Sequence, residues 1–196
     1  MKKYTINLFI ISLTAMMLSS CGMQSIPTAA NDVEAKWAEV QNQYKRRSDL
    51  IPNLVEVVKG YAKHEEETLT KVIEARASAT KVSFNANQLT EENMKQFQKA
   101  QAQVSSALSR LMVSVEKYPE LKANENFKEL QNQLEGTENR ITVARNRYIE
   151  SIQSFNNLIT VPPTSWYNGI FLHLTKKPQF QVENLEEVQK APAVKF

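Results

Sequence analysis

Cysteine is almost absent from this 196-residue chain, and its one cysteine, Cys21, stands near the start. A single cysteine excludes an intrachain disulfide in any redox compartment. It also leaves the rest of the chain without a thiol for nucleophilic catalysis or metal binding. The fold must therefore be stabilised by the packing of its own side chains rather than by cross-links.

Glycine and histidine are also scarce, with four glycines and two histidines. The sequence contains no glycine-rich phosphate loop and no Gly-x-Ser-x-Gly nucleophile motif. His64 and Glu65 begin a zinc-protease helix motif, but Thr68 stands where that motif requires its second histidine. The other histidine, His173, is far away in the sequence. We therefore expect no metal, no cofactor and no small-molecule substrate.

An excess of one charge sign is missing too. The chain has 24 Lys and Arg against 21 Asp and Glu, and Lys2 and Lys3 belong to a segment that export would remove. Without these two, 22 basic residues face 21 acidic ones, a net charge near +1. Because nucleic-acid phosphates are bound by concentrated positive charge, this balance argues against nucleic acid as a partner.

The longest apolar run lies at the N-terminus, between Leu8 and Leu18, directly after the basic Lys2 and Lys3. A helix needs about 20 apolar residues to span a bilayer, and this run is shorter. A basic start followed by a short apolar stretch is typical of an export signal. We interpret residues 1–20 as a signal peptide.

The signal ends in Leu18-Ser19-Ser20-Cys21-Gly22, the pattern of a lipoprotein cleavage site. Small residues admit the chain to a peptidase, which would cut between Ser20 and Cys21, and the thiol of Cys21 would accept a diacylglycerol. This predicts a protein of the bacterial cell envelope, anchored by lipid on the periplasmic side. Gly22 is not the acidic retention signal familiar in enteric lipoproteins, which favours the outer membrane over the inner one.

The remaining chain has the length of one domain with its own core, since 196 minus 20 residues leaves 176. Residues 21–30 lack periodicity and are interpreted as a tether. Residues 31–162 carry apolar residues at helical spacing and are interpreted as a helical bundle. Residues 163–196 form a C-terminal segment with an apolar patch and an irregular tail.

The first apolar stripe raises one question, the effect of Pro52. Proline removes a backbone donor, so it either kinks one helix or separates two. Ser48 and Asp49 are good caps for a new helix that starts at Leu50, which favours a break. The stripe keeps its phase across the proline, which favours a kink. We expect a break, with a second helix reaching about Phe84.

Two further helices are predicted. The third begins after the cap Thr90 and ends at Pro119, and the fourth runs from about Asn124 to the prolines at 162 and 163. Their matched lengths predict an all-α, antiparallel bundle of three to four long helices, with a short C-terminal capping segment. Their predicted core positions are Phe97, Val104, Leu108, Leu111, Val115 and Tyr118, then Phe127, Leu130, Leu134, Ile141, Tyr148, Ile152, Phe155 and Ile159.

The C-terminal segment contains an apolar patch that includes Trp166 and Phe171. A disordered tail would not need such residues. We expect the segment to cap one end of the bundle. The alternative is a surface that contacts a partner or dips into the membrane.

Four charged residues fall within the apolar stripes: Glu65, Arg76, Glu138 and Arg145. Long charged side chains at the edge of a seam often reach water. The alternative is that these residues contribute at least one buried or half-buried ion pair between helices, which would fix the register of the bundle.

The run Lys45-Arg46-Arg47 has its own two interpretations. It is expected to be a solvated helix end that complements the negative pole of the helix dipole. The alternative is a contact with anionic lipid or with a partner protein.

Two separated blocks of sequence resemble the LemA family. The first block is Lys45-Arg46-Arg47-Ser48-Asp49-Leu50-Ile51-Pro52-Asn53-Leu54-Val55, then Gly60-Tyr61 and His64-Glu65; the second is Tyr118-Pro119-Glu120-Leu121-Lys122, Phe127, Thr137-Glu138-Asn139-Arg140-Ile141, Ala144-Arg145, Tyr148 and Phe155-Asn156. The resemblance implies an antiparallel helical bundle held on the outer side of a membrane, with no established catalytic activity. The chain departs from the family pattern in its lipoprotein signal, where relatives commonly have an N-terminal membrane helix, and in Ile149.

The functional expectation is a non-enzymatic bundle that is held to the membrane through Cys21 and contacts other envelope proteins. A different class of function is also open, namely an enzyme or an accessory subunit that uses Glu65, Arg76, Glu138 and Arg145 as acid and base. Charges engaged in pairs would favour the first function, and charges converging on a cleft would favour the second.

Overall fold

The computed structural model describes residues 24–180, and the segments expected to be the signal peptide, the lipid site and the irregular tail lie outside them. Within the described range the chain forms helices and connecting turns, with no strand, so the all-α prediction is confirmed. The helices are α1 Ser25–Tyr61, α2 Glu66–Lys81, α3 Glu91–Val115, α4 Pro119–Ala123, α5 Glu125–Thr160 and α6 Thr164–Tyr167, with a 3₁₀ turn at Ala86–Gln88 and a π turn at Asn168–Leu172.

The helices form an antiparallel bundle in which α1 pairs chiefly with α5, and α2 with α3. At one end of the α1–α5 pair, Asn124 donates a hydrogen bond of 2.9 Å to the Tyr61 hydroxyl. Towards the other end, Arg147 lies 2.7 Å from Glu39. These contacts set the two longest helices side by side, in opposite directions, along almost their whole length.

Helix α1 starts earlier than the sequence predicted. The expected tether over residues 21–30 is wrong for residues 25–30, which are helical. The reason is Ile26, which is fully buried and lies seven residues before Val33, so it extends the apolar stripe by two turns. Residues 21–23 lie outside the described range.

The predicted break at Pro52 is also wrong, because α1 runs through the proline without interruption. Pro52 has no N–H to donate to the carbonyl of Ser48, four residues earlier. The side chain of Arg76, on α2, supplies the missing donor: its Nε donates to that carbonyl at 2.8 Å. The helix therefore continues because a neighbouring helix satisfies the carbonyl that the proline leaves unpaired.

The real break comes ten residues later, over residues 62–65. Gly60 weakens the end of α1, since glycine is a poor helix former. Glu66 and Glu67 occupy the first turn of α2, where carboxylates complement the positive pole of the helix. Helix α2 is consequently a separate element of 16 residues rather than part of a long helix from Leu50 to Phe84.

The other predicted helices are confirmed, with their caps. The Thr90 side chain accepts a hydrogen bond from the backbone N–H of Asn93, and the Asn124 side chain accepts one from Phe127. Their predicted core positions are buried except for Tyr118 and Leu130, which are partly buried.

The core consists of two clusters along the rod. The first, here called the aliphatic half, lies around the C-terminal part of α1, with α2, α3 and the start of α5. The second, the aromatic half, lies around the N-terminal part of α1 and the C-terminal part of α5. Its ring-bearing residues are Trp37, Tyr44, Phe97, Tyr148 and Phe155, with Phe180 packed against them.

Candidate functional site: a polar layer and an exposed aromatic end

A layer of polar side chains around one buried arginine separates the two halves of the core. At its centre is Arg47 of α1, whose side chain is 2% exposed. Its Nη1 donates to Glu138 on α5 and to Ser105 on α3, both at 2.8 Å, and its Nη2 donates to Gln101 at 2.7 Å. Arg47, Gln101, Ser105 and Glu138, here called the polar layer, tie three helices together at one level.

The position of Arg47 follows from the repeat of α1. Arg47 lies seven residues after the buried Val40 and seven before the buried Leu54, so it occupies a core position. Its guanidinium also lies 5.1 Å from the centre of the Tyr44 ring. An arginine at such a position can remain buried because its charge is paired and its donors are engaged.

The expectation for the run Lys45-Arg46-Arg47 is therefore wrong at Arg47, which neither reaches water nor is available to lipid. Lys45 and Arg46 are exposed, as expected. Lys45 lies 3.0 Å from Asp49 one turn later, an exposed pair of the kind that contributes little stability. The signal for Arg47 was present in the sequence as the unbroken phase of the apolar stripe.

The four charged seam residues have different principal partners. Glu138 pairs with Arg47 across α1 and α5, and the Glu138 side chain is 46% exposed, so the pair is half-buried. Arg145 lies 4.5 Å from the centre of the Phe180 ring. Arg76 is bound to the Ser48 carbonyl, and Glu65 accepts a hydrogen bond from the Tyr118 hydroxyl at 3.2 Å. Glu138 and Arg145 also share a neighbour, the Tyr44 hydroxyl, whereas Arg76 and Glu65 have other partners.

Gln101 and Ser105 are members of the polar layer that the sequence reasoning missed. Gln101 lies seven residues before Leu108 and fourteen before Val115, which are both buried, so it interrupts a column of core residues. That spacing was a signal for Gln101. Ser105 has no such signal, since it is one residue after the core position Val104.

A cleft of about 300 Å³ opens beside the polar layer, between α1, α2 and the start of α3. Arg47, Gln101, Phe97 and Arg76 are among the residues that line it. The lining residues include no histidine and no cysteine, and their one carboxylate, that of Asp49, is paired with Lys45. The cleft could accept a small anionic or aromatic group, but its lining offers no acid–base pair for catalysis.

Burial changes the pKa of two tyrosines in the aromatic half, Tyr44 and Tyr148. Burial raises the pKa of the Tyr44 hydroxyl, while the guanidinium groups of Arg145 and Arg47 act in the opposite direction. Burial also raises the pKa of the Tyr148 hydroxyl, well above its usual range. Tyr148 is fully buried, and its hydroxyl has no hydrogen-bond partner among the described residues.

The other unusual surface lies at the end of the aromatic half, where α1 begins and α5 ends. After α5 the chain turns through α6 and the π turn and then runs back along the bundle. Asn156 on α5 fixes the returning chain through two hydrogen bonds with the backbone of Lys177, and the Phe180 ring lies 5.5 Å from that of Tyr148. The turn between these points therefore lies across the end of the bundle.

This turn covers the core with some residues and exposes others. Tyr167 and Leu172 pack against the aromatic half, as a cap would. Trp166, Ile170 and Phe171 are 66%, 67% and 66% exposed. The inner side of the segment therefore corresponds to the predicted cap. The exposed side, with Trp166 and Phe171, corresponds to the alternative prediction of a surface for a partner or the membrane.

Residues 24–180 also bear on metal binding and on membrane crossing. They contain no group of three or more His, Cys, Asp and Glu residues close enough to share a metal ion. None of their helices combines the length and the apolarity that crossing a bilayer requires. The predicted cleavage and lipid sites, Ser20 and Cys21, lie outside the part that the structure describes.

Comparison with known proteins agrees with the two blocks of resemblance. Protein LemA of Metamycoplasma hominis is 24% identical to the chain over 160 residues, which cover 81% of this chain and 68% of that protein. Residues 36–196 match the sequence model of the LemA family, and this range contains the polar layer, the cleft and the exposed aromatic end. The chain therefore belongs to the LemA family.

Proposed function

We propose that this protein is a lipid-anchored component of the bacterial cell envelope that acts by contact with other envelope proteins and carries out no reaction of its own. The anchor is argued from the sequence pattern Leu18-Ser19-Ser20-Cys21-Gly22 behind a basic and apolar signal. Cys21 precedes Gln24, the first described residue, by only three positions. A lipid on that cysteine would hold the bundle against the membrane surface, on the periplasmic side and more favourably at the outer membrane.

The observation that carries the contact role is how the charged residues in the interior are engaged. Arg47, Glu138 and Arg76 are bound to other helices, and we expect these contacts to hold the bundle in register. A scaffold needs such a rigid interior, whereas an enzyme would need some of these groups directed at a substrate. The surfaces that remain for contact with partners are the outer faces of the long helices, the cleft and the exposed C-terminal turn.

The alternative, an enzyme or an accessory subunit that uses Glu65, Arg76, Glu138 and Arg145, is weakened by their separation. Glu65 lies before the start of α2, and Arg145 lies on α5 beside Phe180. Two groups that act as acid and base on one substrate must both be within hydrogen-bond reach of it. Glu138 and Arg145 share one neighbour, Tyr44, but that tyrosine is buried, and Glu65 bonds to Tyr118 instead.

The anchor is tested by mass spectrometry of the mature protein from its own envelope. We expect an N-terminus at Cys21 that carries acyl mass, and we expect Cys21→Ser to be neither acylated nor cleaved by the lipoprotein peptidase. Ser20→Ala is the matched control, because alanine keeps the small residue before the cut. An N-terminus elsewhere, or a wild-type peptide without acyl mass, would contradict the anchor.

The contact role is tested by placing a photo-crosslinking residue at exposed apolar positions on different helices. Suitable positions are Ile73, Val113 and Val143, which are 49%, 71% and 47% exposed. We expect one position to crosslink to a defined envelope protein in intact cells while the others do not, and we expect Cys21→Ser to lose that adduct. Equal labelling at all three positions would argue against a specific contact.

A further inference from the structure

The exposed side of the C-terminal turn forms an apolar surface of five residues, here called the end patch. Trp166, Ile170 and Phe171 are each about two thirds exposed, and Val161 and Leu174 are 54% and 40% exposed. Single exposed apolar residues are common, but a cluster of this kind marks an interaction surface. The rings of Phe171 and Tyr167 lie 5.0 Å apart, so the patch adjoins residues that are fixed on the core.

The end patch has a built framework behind it. Asn168, which is 8% exposed, donates a hydrogen bond to the carbonyl of Leu174 and accepts one from its N–H, at 3.0 and 2.9 Å. Between them, His173 has a φ of 52° and its N–H donates to the Asn168 carbonyl at 2.7 Å. These bonds hold Ile170 and Phe171 outward in a closed turn, although burying them would otherwise be favourable.

The location of the end patch relates it to the predicted lipid. The turn packs on the same end of the aromatic half as Ile26, at the start of α1. Cys21 is three residues before Gln24, and three residues of fully extended chain span at most about 11 Å. An acyl chain on Cys21 would therefore bring the bilayer surface to this end of the rod whatever path residues 21–23 follow.

The chemistry of the end patch suits the membrane interface. Tryptophan is enriched at the headgroup level, where one side of the ring meets hydrocarbon and its N–H meets water. Lys176, which is exposed, follows the patch and would meet anionic headgroups. A second, apolar contact would complement the diacylglycerol on Cys21 by orienting the bundle on the bilayer.

We propose that Trp166, Ile170 and Phe171 insert into the interfacial region of the membrane that holds the protein, so that the bundle stands with its aromatic half on the bilayer. This inference rests on the proposed attachment of lipid at Cys21. The membrane is favoured over a protein partner as the occupant because the short connection to Cys21 leaves little room between this end of the rod and the bilayer.

Tryptophan fluorescence tests the inference, because the chain has only two tryptophans and the other, Trp37, is 1% exposed in the core. The lipidated full-length mature protein is placed in phosphatidylethanolamine–phosphatidylglycerol vesicles that contain lipids brominated near the carboxyl end of the acyl chain. We expect these lipids to quench the wild-type emission and the quenching to be lost in Trp166→Phe. Equal quenching in the two proteins would overturn the inference.

A second measurement does not depend on fluorescence. We expect Ile170→Ser/Phe171→Ser to speed the transfer of lipidated protein from donor to acceptor vesicles. Val113→Ser, an equally exposed apolar position in the aliphatic half, is the matched control and should transfer at the wild-type rate. Unchanged transfer of the double variant, with its helical content intact, would also overturn the inference.

Two readings separate the failure of this inference from the failure of the anchor. Acyl mass at Cys21 without quenching that depends on Trp166 would leave the anchor and remove the inference. If acyl mass is absent, the same unacylated protein is mixed with vesicles. Absence of Trp166-dependent quenching in that mixture would refute the insertion itself. Protection of Trp166 from acrylamide without lipid would show that protein, such as residues 181–196 or a second copy, covers the patch, and would overturn the inference.

Discussion

The two halves of the rod fill their cores with different side chains, aliphatic in one and aromatic in the other. In the aliphatic half four helices enclose the core, and small residues such as Ala62, Ala100 and Ala107 allow them to approach closely. In the aromatic half α2 has already ended, and irregular chain takes its place. Large rings fill the space there, and the indole of Trp37 donates a hydrogen bond of 2.7 Å to the carbonyl of Phe84 in the irregular segment. Rings with polar atoms thus substitute for a missing helix.

The largest expected effect distinguishes these two kinds of core. We expect Trp37→Ala to lower the free energy of unfolding by about 3 to 5 kcal/mol, near the upper end of that range. The substitution empties a large site and also leaves the Phe84 carbonyl without its donor. We expect Leu111→Ala, in the aliphatic half, and Ile141→Ala, in the aromatic half, to cost about 2 to 5 kcal/mol each. Urea denaturation measures all three.

The comparison fails if Trp37→Ala costs no more than Leu111→Ala, since the rings would then not be replacing a helix. Unchanged midpoints for Leu111→Ala and Ile141→Ala would mean that the buried seams of α3 and α5 are assigned to the wrong faces.

The next effect concerns the layer that joins the halves. We expect Glu138→Gln to cost about 2 to 3 kcal/mol, less than the about 3 to 5 kcal/mol of a fully buried pair because the Glu138 side chain is 46% exposed. The control is Glu39→Gln, which breaks the more exposed pair with Arg147 on the same two helices and should cost about 0 to 1 kcal/mol. Equal losses would mean that the buried arginine does not depend on its counter-ion.

A double-mutant cycle sharpens that result. Arg47→Met removes the buried charge while keeping most of the side-chain volume, so Glu138→Gln should cost much less in its presence. Additive losses would show that Arg47 and Glu138 are not coupled and that the layer does not fix the register.

A smaller effect tests why α1 crosses Pro52. We expect Arg76→Met to cost about 1 to 2 kcal/mol, since it leaves the Ser48 carbonyl without a donor. In a Pro52→Ala background the new N–H of residue 52 can bond that carbonyl, so the same substitution should cost less. Arg140→Met, at an exposed position on α5, is the control and should be nearly neutral. An equal cost of Arg76→Met in both backgrounds would contradict the pairing of Pro52 with Arg76.

The smallest effect depends on pH. Tyr148→Phe removes a buried hydroxyl without a described partner, so near neutral pH we expect a change within about 1 kcal/mol in either direction. Burial raises the pKa of Tyr148 in the folded state, so above pH 10 the unfolded chain loses this proton first and stability falls. Tyr148 should contribute at most about 1.4 kcal/mol per pH unit to this fall, and Tyr148→Phe should lose that contribution while the one from Tyr44 remains. Parallel stability curves for the two proteins would contradict this linkage.

The sequence predicted those parts of the fold that depend on neighbours along one helix. Helices α3 and α5, with their caps at Thr90 and Asn124, follow from a repeat and from local hydrogen bonds. The continuity of α1 does not follow in this way, because the donor that satisfies Ser48 lies 28 residues further along the chain. Local rules correctly register the cost of Pro52, but they contain no information about the side chain that offsets it.

The polar layer illustrates the same limit for the site. Glu138 stood out as a charge within a stripe, but its partner was not one of the other three seam charges. Arg47 was assigned to the surface because two further basic residues precede it, although its phase placed it inside. The sequence showed that the segment containing the end patch is apolar. Which of its rings are exposed depends on the path of the returning chain, which Asn156 and Phe180 fix.

The pairing of α1 with α5 has a consequence for the order in which the protein folds. Helices α2 and α3 are separated by nine residues. The contact of Arg47 on α1 with Glu138 on α5 closes a much longer loop, of about ninety residues. Each doubling of a loop adds about 0.6 kcal/mol of closure entropy, and the aromatic half must also await Phe180. The α2–α3 hairpin can therefore form before the rest of the bundle, and the aromatic half is assembled last. Pulsed hydrogen exchange during refolding should protect α2 and α3 before the N-terminal part of α1, and the reverse order would contradict this sequence of events.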